Sequence, residues 1–213
     1  MSDDRTSRTK VKICGIRDEP ALDAAVDAGA DWVGFVFFAR SPRCITPQEA
    51  VILHRRLDGK AAAVGLFVEP EEADIERILQ LVPLDILQLY TTPERARFLR
   101  SRFGRPVWLA HGVSRQDQLP TTHGPDGLVV ESRAPDDASR PGGNGLSFDW
   151  SILQGWQAPV PWLLAGGLTP GNVGEAIKRS GATAVDVSSG VESSPGCKDP
   201  ALIRRFVKSA RAG

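Results

Sequence analysis

Eight short apolar runs alternate along the chain with segments that begin like helices, and this alternation constrains the fold more than any other feature. Continuous apolar runs of this length are typical of strands that are buried on both faces of a parallel sheet. The sequence therefore predicts eight strands, which are Val11–Cys14, Asp31–Phe37, Ala61–Val68, Leu84–Tyr90, Pro106–Ala110, Gly127–Glu131, Pro161–Ala165 and Thr183–Ser188.

Proline and acidic residues mark the starts of several segments between these strands, as at Thr46-Pro47 and Thr92-Pro93. Proline fits the first helical turn, and a carboxylate there is stabilised by the positive end of the helix dipole. Eight strand and helix pairs in 213 residues predict an α/β chain that folds as a single (β/α)8 TIM barrel of minimal size. We expect residues 10–213 to form the barrel and residues 1–9 to be a flexible N-terminal tail.

The charge balance and the apolar pattern exclude several classes of partner. The 26 basic and 26 acidic residues cancel and form no block of one sign, which argues against nucleic-acid or acidic-membrane binding. The N-terminal segment lacks an apolar signal region, and no run of about 18 apolar residues occurs, so neither secretion nor membrane insertion is expected. A small molecule is the expected partner, and the chain is either a monomer or a homodimer.

Three cysteines, Cys14, Cys44 and Cys197, are too few and too widely spaced for a disulfide framework. Because no histidine cluster accompanies them, a zinc site is not expected either, and we predict a protein of the reducing cytoplasm. Cys14 differs from the other two because it ends the first predicted strand. The active site of an α/β barrel lies at the carboxyl ends of its strands, so Cys14 is a candidate reactive thiol.

Lys12 shares a strand face with Cys14, one layer lower in the predicted barrel interior, where its charge favours the thiolate. An unpaired buried ammonium is costly, so we predict an ion pair with Asp186 on the eighth strand, which neighbours the first in a closed barrel. Two alternatives stay open at this point. One is that Cys14 is a buried structural cysteine, and the other is that the Lys12–Asp186 pair serves stability alone.

Two glycine-rich turns close the seventh and eighth predicted strands. Turns of this kind expose backbone N–H groups, and the same position in barrels commonly binds phosphate. The alternative is that the glycines only permit tight turns. The predicted phosphate-binding residues are Gly166, Gly167, Ser188, Ser189 and Gly190.

The least regular stretch, Ser132–Ser147, is rich in Pro, Asp, Ser and Gly and follows the sixth predicted strand. A loop of this length is unusual in a compact barrel, and it leaves from the end of the barrel where the site is expected. We therefore expect it either to cover the site or to be a tolerated surface insertion.

Five ordered segments carry a resemblance to a known family, and the match runs from Lys10 to the C-terminus. They are Lys12–Ile16, Gly29–Phe35, Ser41–Arg43, Gly142–Gly145 with Phe148–Trp150, and Val185–Glu192. Together they resemble the phosphoribosylanthranilate isomerases of tryptophan biosynthesis. The resemblance implies an Amadori rearrangement of N-(5-phosphoribosyl)anthranilate to 1-(2-carboxyphenylamino)-1-deoxyribulose 5-phosphate, without a cofactor.

The resemblance also implies roles for individual residues. An acid must protonate the sugar ring oxygen, and a base must remove a proton from the adjacent carbon. By similarity Cys14 is the general base, Arg43 binds the anthranilate carboxylate, and Asp186 reaches the substrate above Lys12. Glu131 occupies the position of the family's aspartate and is the candidate acid, although a glutamate that merely caps a loop is the alternative. Arg40 lies close enough in sequence to compete with Arg43.

Three positions depart from the family pattern. Glu131 replaces an aspartate, Tyr90 stands where the family usually has histidine, and Leu109 stands where lysine or arginine is frequent. We expect all three to face the site, with Tyr90 as a hydrogen-bond donor to the substrate. The departures leave two further hypotheses, a paralogue acting on another phosphorylated aminosugar or a non-catalytic sugar-phosphate-binding barrel. On sequence alone, Glu131→Asp is expected to preserve or raise activity, whereas a large loss would mean that the site has adapted to glutamate.

Overall fold

The computed structural model describes residues 8–121, 124–133, 142, 145 and 147–212. Eight parallel strands close into a barrel in chain order, with β8 returning to pair with β1. The predicted (β/α)8 barrel is therefore confirmed. The strands are β1 Lys10–Cys14, β2 Trp32–Val36, β3 Ala62–Val68, β4 Ile86–Tyr90, β5 Val107–Val113, β6 Gly127–Ser132, β7 Trp162–Leu164 and β8 Ala184–Val187.

The outer layer differs from the prediction of eight helices, because six α-helices occur among the described residues. They are α1 Glu19–Asp27, α2 Pro47–Leu57, α3 Glu72–Leu79, α4 Pro93–Phe103, α5 Val173–Ser180 and α6 Pro200–Ala212. After β5 and β6 the described residues form only single 3₁₀ turns, at Gln116–Gln118 and Trp150–Leu153. Pro120 and Gly155 follow these turns closely, and both residue types disfavour continuation of a helix.

The threonine and proline pairs act as the sequence predicts. Thr46 and Glu49 form a reciprocal capping box at the start of α2, and the Thr92 hydroxyl accepts a hydrogen bond from the Arg95 N–H at the start of α4. These caps satisfy N–H groups that have no partner inside the helix. A small antiparallel hairpin, β9 Glu192–Ser194 and β10 Cys197–Lys198, lies between β8 and α6.

Alternate strand residues form two separate cores, one beneath the helices and one inside the barrel. The interior is filled at its lower end by a cluster that includes Val64, Trp108 and Val129. Above it, Cys14 and Leu66 form the upper layer, which borders the carboxyl ends of the strands. This filled lower half places the usable space of the barrel at its upper end.

The structure contradicts the expectation that Leu109 faces the site. The residue is 4% exposed and packs in the cluster beneath the helices. The reason is strand alternation, because its neighbour Trp108 occupies the barrel interior. The departure at Leu109 therefore changes the outer core rather than the site.

Two predictions fall largely on residues outside those described. The expected flexible tail covers residues 1–9, of which 8 and 9 are described, and the loop 132–147 is described only in part. No described helix has the length and apolar character needed to cross a membrane.

Candidate active site

A cavity of about 810 Å³, measured with its open mouth, lies at the carboxyl ends of the barrel strands. All but two of the predicted site residues line it, the exceptions being Lys12 and Gly190. The lining includes Cys14, Arg43, Tyr90, Glu131, Gly166, Gly167, Asp186, Ser188 and Ser189.

The predicted ion pair beneath the cavity is present. Lys12 and Asp186 are register partners on β1 and β8, and the Lys12 Nζ donates to Asp186 Oδ1 at 3.0 Å. The Lys12 side chain is fully buried, and Asp186 is 7% exposed and lines the cavity. Burial by itself lowers the pKa of Lys12, but the charge and hydrogen bond of Asp186, with a smaller contribution from Cys14, outweigh it and raise that pKa. The ammonium is therefore retained inside the barrel.

Cys14 lies directly above this pair, and Gly34 on β2 leaves it room. A Cβ built on Gly34 would lie 2.9 Å from the Cys14 Sγ and 3.3 Å from the Lys12 Nζ. Lys12 favours the thiolate, as predicted, but its effect is too small to bring the pKa of Cys14 below its ordinary value. Burial raises the pKa of Cys14 above its ordinary value, and the opposing charge of Lys12 does not cancel this. The resting form is therefore the neutral thiol.

Glu131 and Tyr90 meet on the opposite side of the cavity. Glu131 is 5% exposed near the end of β6, and Tyr90 ends β4. Their side chains are hydrogen-bonded to each other. Burial and the charge of Glu131 raise the pKa of Tyr90 well above its ordinary value, so its hydroxyl stays protonated and is the donor. The candidate acid is thus held by a neighbour that sequence reasoning had assigned to the substrate.

Arg43 enters the cavity from the loop after β2 and packs across Gly15, whose missing side chain leaves space for it. Its guanidinium forms a bidentate pair with Glu192, Nε to Oε1 at 2.7 Å and a second N–H to Oε2 at 2.9 Å. Burial opposes the ionisation of Glu192, but the hydrogen bonds and charges of Arg43 and Lys198 lower its pKa. The planar fork of Arg43 is therefore fixed in direction at the cavity wall.

Lys198 links this pair to the end of β8. Its Nζ contacts Glu192 Oε1 at 2.8 Å and donates to the Ser188 carbonyl, also at 2.8 Å. The Ser188 hydroxyl in turn donates to the Cys14 carbonyl at 3.1 Å. Burial lowers the pKa of Lys198, with the Glu192 carboxylate acting in the opposite direction. The hairpin β9–β10 thus fastens the ends of β1 and β8 to Arg43.

The two glycine turns face the cavity at its β7 and β8 side. Gly166 and Gly167 have φ angles of 86° and 63°, a region that favours glycine. Gly190 does not line the cavity, but it allows the two turns to approach each other. A Cβ added to Gly190 would collide with the Leu168 carbonyl group, whose carbon would be 2.9 Å away. The turns therefore brace each other through their backbones.

The wall across the barrel from these turns is apolar. Val36, Phe38, Leu66 and Val68 line it, from β2, β3 and the loop after β2. Strands β3 and β7 lie opposite each other in a closed eight-stranded barrel. The cavity therefore offers backbone N–H groups at one end and an apolar surface beside Arg43 at the other. This arrangement suits a ligand with a phosphate at one end and an aromatic carboxylate at the other.

Comparison with known proteins gives the family. A family model described as N-(5'phosphoribosyl)anthranilate (PRA) isomerase matches residues 11–209. The N-(5'-phosphoribosyl)anthranilate isomerase of Acidiphilium cryptum is 53% identical over 204 residues, covering 95% of this chain and 98% of that protein. The chain belongs to this isomerase family. The isomerase of Paramagnetospirillum magneticum is 50% identical over 210 residues, covering 96% of this chain and 98% of that protein.

Solved structures agree with this assignment. Phosphoribosylanthranilate isomerase from Thermotoga maritima matches with a TM-score of 0.82 and 33% identity, covering 96% of this chain and all 100% of that chain. A family member in complex with reduced 1-(O-carboxyphenylamino)-1-deoxyribulose 5-phosphate matches with a TM-score of 0.79 at 32% identity, with the same coverage. The chain is an aldose–ketose isomerase of tryptophan biosynthesis, as its motifs predict.

Three residues at or next to the site were not predicted from the sequence. Glu192 ends a segment that carried the resemblance, yet no signal pointed to its contact with Arg43. Lys198 gave no sequence signal. Gln88 lines the cavity and is 1% exposed, and its Oε1 has no hydrogen-bond partner in the part of the chain that the structure describes. A lone glutamine between Leu87 and Leu89 in an apolar strand was the available signal.

No group of three His, Cys, Asp or Glu side chains among the described residues is arranged to hold a metal ion. Cys14, Cys44 and Cys197 are free thiols.

Proposed function

We propose that this isomerase opens the sugar ring of N-(5'-phosphoribosyl)anthranilate with Glu131 as general acid and moves the C2 proton with Cys14 as general base. The observation that carries the proposal is that both side chains line one cavity between the glycine turns and Arg43. An acid and a base on different walls of one cavity can act on the two ends of a C1–C2 unit.

Glu131 acts first in this scheme. The step requires the protonated form of Glu131, in which one carboxyl oxygen accepts from Tyr90 and the other carries the proton. This proton passes to the ring oxygen, the C1–O bond breaks, and the nitrogen lone pair forms the C1=N bond of a cationic Schiff base. Once the Schiff base has formed, Cys14 releases its thiol proton to solvent, and the thiolate then removes the proton from C2. The electrons of that C–H bond form C1=C2 while the C=N electrons return to nitrogen, and Glu131 takes a proton from solvent to complete the cycle. The resulting enolamine tautomerises to the ketone, so the reaction is an isomerisation with no net loss of atoms or electrons.

The elevated pKa of Cys14 fits this order of events. A neutral thiol is a weak base, but a positive charge near it favours the thiolate. Lys12 supplies one such charge from below, and the Schiff base supplies a second after ring opening. We therefore assign Lys12 a role through Cys14 and Asp186, since Lys12 itself does not line the cavity.

Substrate binding divides between the two ends of the cavity. Backbone N–H groups of Gly166, Gly167 and Ser189 hold the phosphate with the Ser188 turn, as in other barrels of this class. Arg43 holds the anthranilate carboxylate, for which a planar bidentate cation is well suited. Asp186 lines the middle of the cavity, where its free carboxylate oxygen accepts from a sugar hydroxyl.

The test follows the loss of phosphoribosylanthranilate fluorescence when purified protein is added. We expect Cys14→Ala and Glu131→Gln each to lower kcat by at least about 100-fold, the scale of a general acid or base contribution. Cys44→Ala is the matched control, because Cys44 is also a free thiol but lies outside the cavity. Full activity of either catalytic variant would overturn its assigned role. No turnover by the unaltered protein would favour a paralogue with another aminosugar phosphate.

The pH dependence provides a second check on Cys14. A base acts when deprotonated, and burial raises the pKa of Cys14. In Glu131→Gln, which removes the titration of the proposed acid, we therefore expect the residual kcat/KM, which reports the free enzyme, to keep rising with pH through the range in which an ordinary thiol titrates. A profile that is flat there would contradict the assignment.

We further propose that the enzyme works in the cytoplasm, because its catalytic thiol must stay reduced. Its assembly is either monomeric or dimeric. A Thermotoga maritima structure is described as monomers generated from a dimeric isomerase, and light scattering on this protein would distinguish the two states.

A further inference from the structure

Tyr90 and Glu131 come from strands that are not neighbours, with β5 between them. The interior face of β5 carries Trp108 low in the barrel and, by alternation, Ala110 and Gly112 above it. Gly112 is the register partner of Glu131. The side chains that β5 carries toward the cavity between Tyr90 and Glu131 are therefore small.

The tips of the two side chains converge at one point of the cavity wall. A Cβ built on Gly142 would lie 2.7 Å from Glu131 Oε1 and closer still to the Tyr90 hydroxyl oxygen. Gly142 therefore lies directly against the tips of both side chains. Burial and the Glu131 charge keep the phenol protonated by raising the pKa of Tyr90, so its proton is directed at the carboxylate.

A glutamate acid faces a positioning problem that an aspartate does not. The glutamate side chain has one more rotatable bond than aspartate, so more conformational entropy is lost when its carboxyl group is held in one orientation. A displacement of about 1 Å at a reacting group can cost about 100-fold in rate. A hydrogen bond to a neighbour that is itself packed in the barrel reduces the number of accessible rotamers.

We propose that Tyr90 is a positioning residue that holds the Glu131 carboxyl group in the orientation needed for proton transfer. The inference rests on the proposed role of Glu131 as the acid. It assigns Tyr90 to Glu131 rather than to the substrate. It also reverses the sequence-based expectation for Glu131→Asp, since a shorter side chain loses contact with Tyr90.

The test is a double-mutant cycle on the full chain with Tyr90→Phe, Glu131→Asp and the two combined. Tyr90→Phe keeps the ring and removes only the hydroxyl. We expect it to lower kcat about tenfold with KM changed less than about twofold, because the contact orients the acid and does not bind substrate. We expect Glu131→Asp to lower kcat by a similar factor, and Tyr90→Phe to cost almost nothing when it is added to Glu131→Asp.

Thr91→Val is the matched control. The Thr91 hydroxyl also donates to a glutamate, Glu69 at 3.0 Å, but this pair is exposed and lies outside the cavity. We expect Thr91→Val to keep wild-type kcat, and its urea midpoint to match that of Tyr90→Phe. A loss of kcat in Tyr90→Phe that simply follows a loss of folded protein would overturn the positioning role.

The outcomes separate this inference from the proposed function. If Tyr90→Phe causes equal losses with and without Glu131→Asp, or affects KM alone, the positioning role is overturned while Glu131 remains the acid. Wild-type activity of Glu131→Gln would instead overturn the acid assignment itself. Non-additive losses in kcat together with an inactive Glu131→Gln variant support both.

Discussion

The two ends of the cavity are built from different parts of the chain. At the end proposed to bind phosphate, called the phosphate end below, the turns after β7 and β8 touch through their backbones, and Gly190 fits against the Leu168 carbonyl. At the end that carries the proposed acid, called the acid end below, Gly142 fits against the tips of two side chains, Tyr90 and Glu131. One end is thus fixed by main chain and the other by side-chain contacts between distant strands.

This difference affects how each end tolerates change. Backbone atoms at the phosphate end move only if two strand ends move with them, so a small steric change there should be expensive. Side-chain tips at the acid end can rotate away at little cost in stability, but the rotation moves a reacting group. We therefore expect substitutions at the first end to act on folding and substitutions at the second to act on rate.

The largest effect is expected at the buried Lys12–Asp186 pair, which lies between the two ends at the base of the cavity. Lys12→Met leaves a carboxylate in the barrel interior without its ammonium. Breaking a buried pair on one side is costly, and we expect the free energy of unfolding to fall by about 3 kcal/mol in urea titrations. Activity should fall as well, since Cys14 loses a charge that favours its thiolate.

A double variant shows whether charge or shape is responsible for that loss. Lys12→Met combined with Asp186→Leu removes both charges, and we expect it to be more stable than Lys12→Met alone. If the double variant is instead the less stable of the two, packing rather than the unpaired carboxylate determines the stability of this layer.

The next largest effect is expected at the phosphate end, where the contacts are between backbones. Gly190→Ala places a methyl group against the carbonyl carbon of Leu168, 2.9 Å away, and the Thr169 Cα, 3.2 Å away. Overpacking against the main chain should lower the free energy of unfolding by about 2 kcal/mol. Gly171→Ala is the control, because its nearest neighbour would be the Thr169 hydroxyl at 3.8 Å. Equal stability of the two variants would show that the turns are not braced against each other.

The position of the two glycine turns was predictable from sequence because their information is local, and their binding of phosphate stays a prediction. Ala165-Gly166-Gly167 and Ser188-Ser189-Gly190 are each continuous, and the strand before each one fixes its place in the barrel. The Lys12–Asp186 pair was also predictable, because closure of eight strands makes β1 and β8 neighbours. Register and alternation are enough to place both side chains.

The acid end could be predicted only in part. The position of Glu131 followed from strand order, but its contact with Tyr90 joins strands that are not neighbours in the barrel, so strand pairing alone does not predict it. The family pattern puts Leu109 in the site, whereas alternation with Trp108 puts it on the outer face of the barrel. The structure agrees with the alternation. Glu192 lies in a hairpin after β8 whose approach to Arg43 has no local sequence signal.

The smallest change in the free energy of unfolding is expected at the acid end, where the contacts are between side chains. Gly142→Ala places a methyl group against the tips of Tyr90 and Glu131, which can turn aside. We expect the urea midpoint to match that of Gly171→Ala, and kcat to fall about tenfold, equivalent to about 1.4 kcal/mol in the barrier. Fluorescence turnover assays and urea titrations on the same preparations measure both quantities.

The comparison between the ends depends on the pattern of these two glycine variants. Gly190→Ala should lose stability first, whereas Gly142→Ala should lose rate at full stability. If Gly142→Ala unfolds as readily as Gly190→Ala, the loop residue is part of the braced structure and the acid end is as rigid as the phosphate end. In that case Glu131 would be held by its whole surroundings, and Tyr90→Phe should then cost much less than tenfold in kcat, because the hydroxyl would no longer be the main constraint on the acid.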